Sequence, residues 1–354
     1  MDGNQLAAGR VTERKMHLIA ARKALATAAA AVLTLPVVWA GGASANALGG
    51  VVAGTTAVPA RRAFVCGTPA YTHPKELAGP GNHEFRLTLE LGGVKATFTA
   101  VAVAGEAGAG FSAVRHAGLT VTASGRLVHK AALVPPFGFS TLQGATTLMS
   151  LAGGVKGSTV CVARFGGTSP ETAVLVGTYS GGAHCCTWVY AYVAAPAHAR
   201  SAKPLWQDIG NPRVRLRDYA GTTLLVTADN SFAYTFAPYA GSGMPVRTLE
   251  LRGGKFVGTT KEHLKLVAAD ARFWWQQYSH IVSHNRAEMG DGLGVFAPWV
   301  ADECLLGKAG TAWATARHLQ EQGYFSPGLP GWPKGAAYVK ALRSFLVKGG
   351  YCPA

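Results

Sequence analysis

Carboxylates are scarce in this chain: 18 Asp and Glu stand against 33 Lys and Arg in 354 residues, a formal net charge of +15. A surface so short of acid attracts polyanions. No dense Lys/Arg block is present, however, so the charge points to no specific nucleic-acid site. No cysteine precedes Cys66, which excludes a lipid-anchoring Cys behind a leader. No Gly-x-Ser-x-Gly elbow occurs either; Gly241-Ser242-Gly243 lacks both of its spacer residues and reads as a turn.

What the chain does have is one alanine- and leucine-rich apolar run between Ala24 and Ala45, preceded by Arg22 and Lys23 and closed by Ala43-Ser44-Ala45. This is the pattern of a secretory signal peptide with a small-x-small cleavage site. Residues 1–45 are then a leader with an N-terminal extension, and the working protein starts at Asn46. An uncleaved anchor is the rival reading, but the clean apolar part, Ala24 to Ala40, is broken by Pro36 and falls short of the ~20 residues a spanning helix needs. Met16 offers a more ordinary start than Met1. The expected location is secreted, extracellular or cell-envelope-associated, with no integral span after cleavage. About 300 residues remain, enough for a substantial core.

All six cysteines, Cys66, Cys161, Cys185, Cys186, Cys304 and Cys352, follow the leader. An even number in an oxidising compartment predicts three structural disulfides, with about fifteen pairings formally open. Adjacent Cys185 and Cys186 would strain their backbone if joined to each other, so each is expected to reach a separate partner. The arrangement expected is Cys304 with Cys352, leaving Cys66 and Cys161 for the vicinal pair.

From Arg61 to about Val257, short β-branched and aromatic runs alternate with Gly, Pro and Asn, the pattern of strands and turns. Glu84 to Leu91, Gly92-Gly93 and Val94 to Ala102 predict a hairpin, since paired glycines supply the positive φ of a two-residue turn. Further strands are predicted at Leu119–Ala123, Arg126–Leu133, Thr159–Arg164, Ala173–Thr178, Cys186–Val193, Arg213–Arg217, Thr222–Thr227, Phe232–Phe236, Val246–Leu251 and Lys255–Val257. After Val257 the period changes. Thr259 to Glu262 fits a capping box, and Leu264, Val267, Ala268, Ala271, Trp275, Tyr278 and Val282 form one apolar helical face. More helices are expected at Phe296–Leu306, Ala312–Gln322 and Ala336–Val347, with a loop from Ser326 to Lys334. The fold class is α+β: a mainly antiparallel β domain over residues 46–258, then a helical region over 259–354, tied by disulfides.

The run Val174-Leu175-Val176-Gly177-Thr178-Tyr179-Ser180-Gly181-Gly182-Ala183-His184-Cys185-Cys186-Thr187 resembles a motif of secreted bacterial proteins of unassigned function. In them a strand-loop-strand unit similar to FG-GAP/VCBS propeller repeats ends in Gly-Gly-Ala-His-Cys-Cys. Phe232 to Phe236, Ser242 to Val246, Gly254 to Val257 and Trp299 to Asp302 look like the continuation of such chains. The resemblance implies a partly propeller-like architecture and export, and carries no activity with it. Repeats of that kind usually hold an aspartate-rich calcium loop, whereas Arg164 to Glu171 contains no aspartate here.

Trp188, Tyr190 and Tyr192 fall on one face of a predicted strand and can stack on sugar rings; packing of a central strand explains them equally well, since Val189, Ala191 and Val193 make the other face apolar. His184 beside two cysteines has soft-metal chemistry, but oxidised sulfurs are cross-links rather than ligands, so no metal and no cofactor are expected. Ala183-His184-Cys185 echoes a trypsin-like histidine signature, yet Gly292 stands where the nucleophilic serine belongs. His280 and His284 share the spacing of zinc proteases without the general-base glutamate, and face away from the apolar stripe. Arg213, Arg215 and Arg217 alternate and would make one basic stripe. The function expected is a secreted or envelope-associated, non-enzymatic binding protein for a cell-wall polymer or glycan, its oligomeric state left open. The alternative is a hydrolase with scattered catalytic groups, for which Asp218, Asp229, Asp291, Asp302, Glu303 and His184 are the residues to inspect.

Overall fold

The computed structural model describes residues 62–67, 84–102, 111–133, 146–151, 158–166, 170–182, 185–194, 204–284, 289–327 and 330–354. The expected leader lies outside them. In chain order the strands are β1 (Phe64–Gly67), β2 (Glu84–Leu91), β3 (Val94–Ala102), β4 (Phe111–Ala123), β5 (Arg126–Ala132), β6 (Thr146–Met149), β7 (Val160–Phe165), β8 (Glu171–Gly182), β9 (Cys185–Val193), β10 (Leu205–Gly210), β11 (Arg215–Tyr219), β12 (Thr222–Ala228), β13 (Val246–Arg252) and β14 (Lys255–Gly258). The helices that follow are α1 (Leu264–His284), α2 (Met289–Leu305), α3 (Ala309–Glu321) and α4 (Gly335–Lys348). Every described strand pairing is antiparallel. The α+β class and the order, strands first and helices last, follow the sequence pattern.

Ten strands form one sheet and β11 to β14 another. Two long strands organise the first: β8 carries β9 on one edge and β7 then β6 on the other, while β4 carries β3 on one edge and β6 then β5 on the other. Short β6 bridges the two halves, pairing Leu148 with Thr178 and Phe111 with Met149. Gly177 makes this crossing possible, because a Cβ there would lie 2.6 Å from the Met149 carbonyl oxygen.

The halves of the large sheet share one core. Val94, Ala96, Phe98, Leu119 and Val121 meet Val160, Val162, Val174, Val176 and the aromatic face of β9. The opposite face of the same inner strands, including Cys161, Phe165, Leu175, Val189 and Ala191, packs on Leu216, Leu225, Leu249 and Leu251 of the small sheet. Strands β7 to β9 are thus a middle layer covered on both sides, which is why their sequences are almost continuously apolar instead of alternating.

The β2–β3 hairpin has the predicted register, Leu91 opposite Val94, with Gly92 at φ +60° and Gly93 at +78°. Helix α1 does not start from a capping box. Thr259 to Glu262 leads into a 3-10 turn with no side-chain cap; the Thr259 hydroxyl pairs with Thr248 Oγ1 at 3.1 Å, and Glu262 is taken by Arg252. Phe232–Phe236 is a turn, not a strand. Phe232 and Phe236 insert their rings against Phe345, Tyr351 and Tyr338 of the helical core. Tyr234 between them points outward, 49% exposed, at φ +60°.

Candidate functional site

One feature open to a ligand among the described residues is the outer face of β11, an edge strand of the small sheet, with the residues that lead into it. Val214 and Leu216 turn inward and are buried, so alternation sends Arg213, Arg215 and Arg217 outward, all exposed. Among the described residues no hydrogen bond or ion pair engages these guanidinium groups; the ion pairs there involve Arg252, His263 and Lys308 instead. The Asp218 carboxylate is already engaged, accepting from the backbone N–H of Ala63 and of Gly221, each at 3.0 Å. Tyr219 continues the outward face and meets the His263 ring edge-on, centroids 4.7 Å apart. Glu250, two strands away, is buried and held by Arg252 at 3.1 Å and His263 at 3.3 Å. Arg252 also grips Glu262 through both terminal nitrogens, and that hydrogen bonding lowers the Glu262 carboxyl below its ordinary value. The arginine stripe therefore faces solvent with no carboxylate paired to it among the described residues.

A second open feature is a groove of about 390 Å³ where β10 approaches the β13–β14 turn. Trp206, 45% exposed, forms part of its wall with Gln207, Lys255 and Phe256. Its backbone floor is tied by Gly254 N–H donating to Glu171 Oε2 at 3.2 Å.

The aromatic residues singled out from sequence lie elsewhere. Trp188, Tyr190 and Tyr192 are 3%, 4% and 1% exposed, sealed between the halves of the large sheet. They do stand on one face, as alternation requires, but that face is the core, and stacking on a sugar is closed to them. Burial pushes the Tyr190 hydroxyl up to about 12 and the Tyr192 hydroxyl higher still. Among the described residues the exposed indole is Trp206, whose strand β10 is disguised in the sequence by Gln207, Asp208 and Gly210.

The cysteines need one correction. Cys304 and Cys352 are bonded as expected. Cys66 and Cys161, however, are bonded to each other, since β1 and β7 place them directly opposite in register. Neither is left for Cys185 or Cys186; Cys186 is itself disulfide-bonded. Strands β8 and β9 pair up to Gly182 opposite Cys185. His184 and the Asp291 side chain lie outside the described residues.

Among the described residues the remaining carboxylates do not converge on an opening. Asp229 Oδ1 accepts from Ser231 N–H at 2.9 Å and its Oδ2 accepts from the Tyr351 hydroxyl at 2.6 Å. Glu303 stands 3.7 Å from Lys308. Asp302 is fully buried beside Asp270, a partner that nothing in the sequence pattern marks. Neither aspartate lines the groove beside Trp206.

No protein-family model matches the chain, and no solved structure matches it. Two proteins are similar to part of it. A probable thylakoid lumen protein of Synechocystis sp. is 28% identical over 206 residues, 52% of this chain and 58% of its own length. An uncharacterized protein of Sinorhizobium fredii is 24% identical over 200 residues, 51% of this chain and 30% of its own length. The match thus spans less than two thirds of either relative. Among the described residues no helix is long and apolar enough to cross a membrane.

Proposed function

We propose that this is an extracytoplasmic, non-enzymatic binding protein whose ligand is a linear anionic polymer of the cell envelope, held along β11. The observation that carries this reading is the row Arg213, Arg215 and Arg217, exposed and, among the described residues, without a carboxylate partner. Alternate residues of an antiparallel strand lie about 6.8 Å apart, a ladder that a polymer with one anionic group per repeat can bridge. Arginine suits the task because its planar fork pairs bidentately with phosphate or carboxylate. The excess of 33 Lys and Arg over 18 Asp and Glu steers such a ligand from a distance.

Extracytoplasmic placement is supported by the leader-like N-terminus, by the Cys66–Cys161 and Cys304–Cys352 disulfides and by the lumenal name of one relative. The likeness of Val174 to Thr187 to FG-GAP/VCBS-type units belongs to the same proposal, and the β8–β9 hairpin supplies its strand-loop-strand form. Trp206 and Lys255 in the groove, towards the sheet edge opposite β11, offer a separate place for a sugar ring. Co-sedimentation with isolated cell wall tests the reading. Saturable binding that disappears in the triple variant Arg213→Ala/Arg215→Ala/Arg217→Ala supports it; equal binding by the variant, or none by either protein, contradicts it.

A further inference from the structure

The end of α1 carries two imidazoles that the proposed function does not use. Ile281 and Val282 pack onto the helical core, so His280 and His284, one turn apart, are both turned to solvent. Their ring centres are 4.5 Å apart. When two imidazoles bind one ion through adjacent positions, each ring centre sits about 3.2 Å from it, so centres about 4.5–5.2 Å apart correspond to bond angles of about 90–110°. The observed separation falls at the edge of that range.

We propose that His280 and His284 form a two-ligand site for a divalent transition-metal ion, with copper(II) preferred. Imidazole nitrogen suits copper, nickel and zinc, and copper(II) heads the affinity order of divalent first-row ions for such donors. His284 Nδ1 lies 2.6 Å from Ser283 Oγ and 3.2 Å from the His280 carbonyl oxygen, to which the Ser283 hydroxyl donates at 3.1 Å. With a proton on Nδ1, that nitrogen donates to Ser283 Oγ and the Nε2 lone pair is left for the metal, the outer-shell tie that orients many histidine ligands. The rings are now nearly parallel, at 26°. Turning one about its broad terminal torsion brings both lone pairs onto one point, a small cost for an exposed side chain.

The helix contributes as well. His284 is the last residue of α1, where unsatisfied carbonyls carry partial negative charge and favour a cation. Among the described residues no group of three or more His, Cys, Asp and Glu gathers at one point. The described residues therefore supply two nitrogens to the site. No glutamate stands between the histidines to act as a base, so the role assigned is binding and not hydrolysis.

Titration of copper(II) into the purified protein, followed by calorimetry and electron paramagnetic resonance, tests the site. Wild type is expected to bind one tight equivalent with coupling to two nitrogens. His280→Ala and His284→Ala should each weaken that equivalent at least about ten-fold, because each converts a chelate into a single contact. His318→Ala, an exposed histidine on α3, should leave it unchanged. All three sites are at the surface, so circular dichroism should show the fold intact. Unchanged affinity in either single variant of the pair, or equal affinity in His280→Ala/His284→Ala, overturns the assignment.

Discussion

Asp302 of α2 faces Asp270 of α1 inside the protein, and the two carboxyls coexist because one keeps its proton. Asp302 is fully buried, and no N–H of the described residues reaches either of its oxygens. Asp270 Oδ2 accepts from the Val246 backbone N–H at 2.7 Å and from Trp274 Nε1 at 2.9 Å. Burial first, and then the neighbouring charge of Asp270, push the Asp302 carboxyl from 3.8 up to about 10. At neutral pH Asp302 is a hydrogen-bond donor to Asp270, linking α1 to α2, while Asp270 also reaches the start of β13.

Because the folded-state value lies above the ordinary one, the stabilisation is complete below about pH 4 and is lost progressively as the pH rises towards about 10. Unfolding free energies measured by urea titration between pH 4 and 9 should show this decline in wild type. Asp302→Asn, which keeps the donor and removes the titration, should flatten it. An unchanged slope in the variant would show that Asp302 ionises freely in the folded protein.

The Cys66–Cys161 and Cys304–Cys352 disulfides close loops spanning 95 and 48 residues of sequence. Replacing Cys304 and Cys352 together by Ala should cost about 2–5 kcal/mol of stability, read from denaturant midpoints. Peptide mapping without reduction should recover Cys66 joined to Cys161. Recovering Cys66 on a peptide with Cys185 or Cys186 would contradict the register of β1 and β7.

Buried and exposed aromatics should respond differently to truncation. Tyr192→Ala empties a packed site between the sheet halves and should cost about 3–5 kcal/mol. Trp206→Ala, on an edge strand with nearly half its surface in solvent, should cost about 1 kcal/mol or less. Similar costs at both positions would mean that Tyr192 is more accessible than its surroundings allow.

Tyr234 holds a left-handed backbone, φ +60°, that a bulky residue adopts only under constraint. Its N–H donates to Ser242 Oγ at 3.0 Å and its carbonyl accepts from Trp332 Nε1 at 3.3 Å. Since the ring is half exposed, Tyr234→Gly should relieve the backbone and raise stability by about 1 kcal/mol, measured by urea unfolding. A decrease of that size would show that the ring itself is structural.

Much of this architecture is legible in the residues because local rules and tertiary packing agree. The Gly92-Gly93 turn needs only backbone freedom, and the apolar stripe of α1 needs only a helical period; the turn is where the pattern puts it, and the stripe buries Val267, Ala271 and Tyr278 while Leu264 at its start is exposed. The failures have a common cause, a tertiary partner that sequence does not display. The helix expected from Phe296 begins at Met289 and takes in Gly290 to Gly294, and at Gly294 a Cβ would meet the Gly241 carbonyl group. Thr259 and Glu262 have the letters of a cap, but Thr248 and Arg252 claim their side chains. Phe232 and Phe236 alternate like a strand because both are anchors and the residue between them is not. At the binding surface the alternation of arginines is plain in the sequence, whereas Trp206 is hidden by the polar company of its strand.

Whether Arg213, Arg215 and Arg217 hold a linear polyanion is read from the salt dependence of binding to purified anionic envelope polymer. Removing one arginine–anion pairing should reduce the slope of log affinity against log salt by about 0.7–0.9. The triple alanine variant should therefore bind more weakly and with a slope shallower by about 2 to 3. A variant with the same slope as wild type would place the charged interaction elsewhere on the molecule and contradict the assignment to β11.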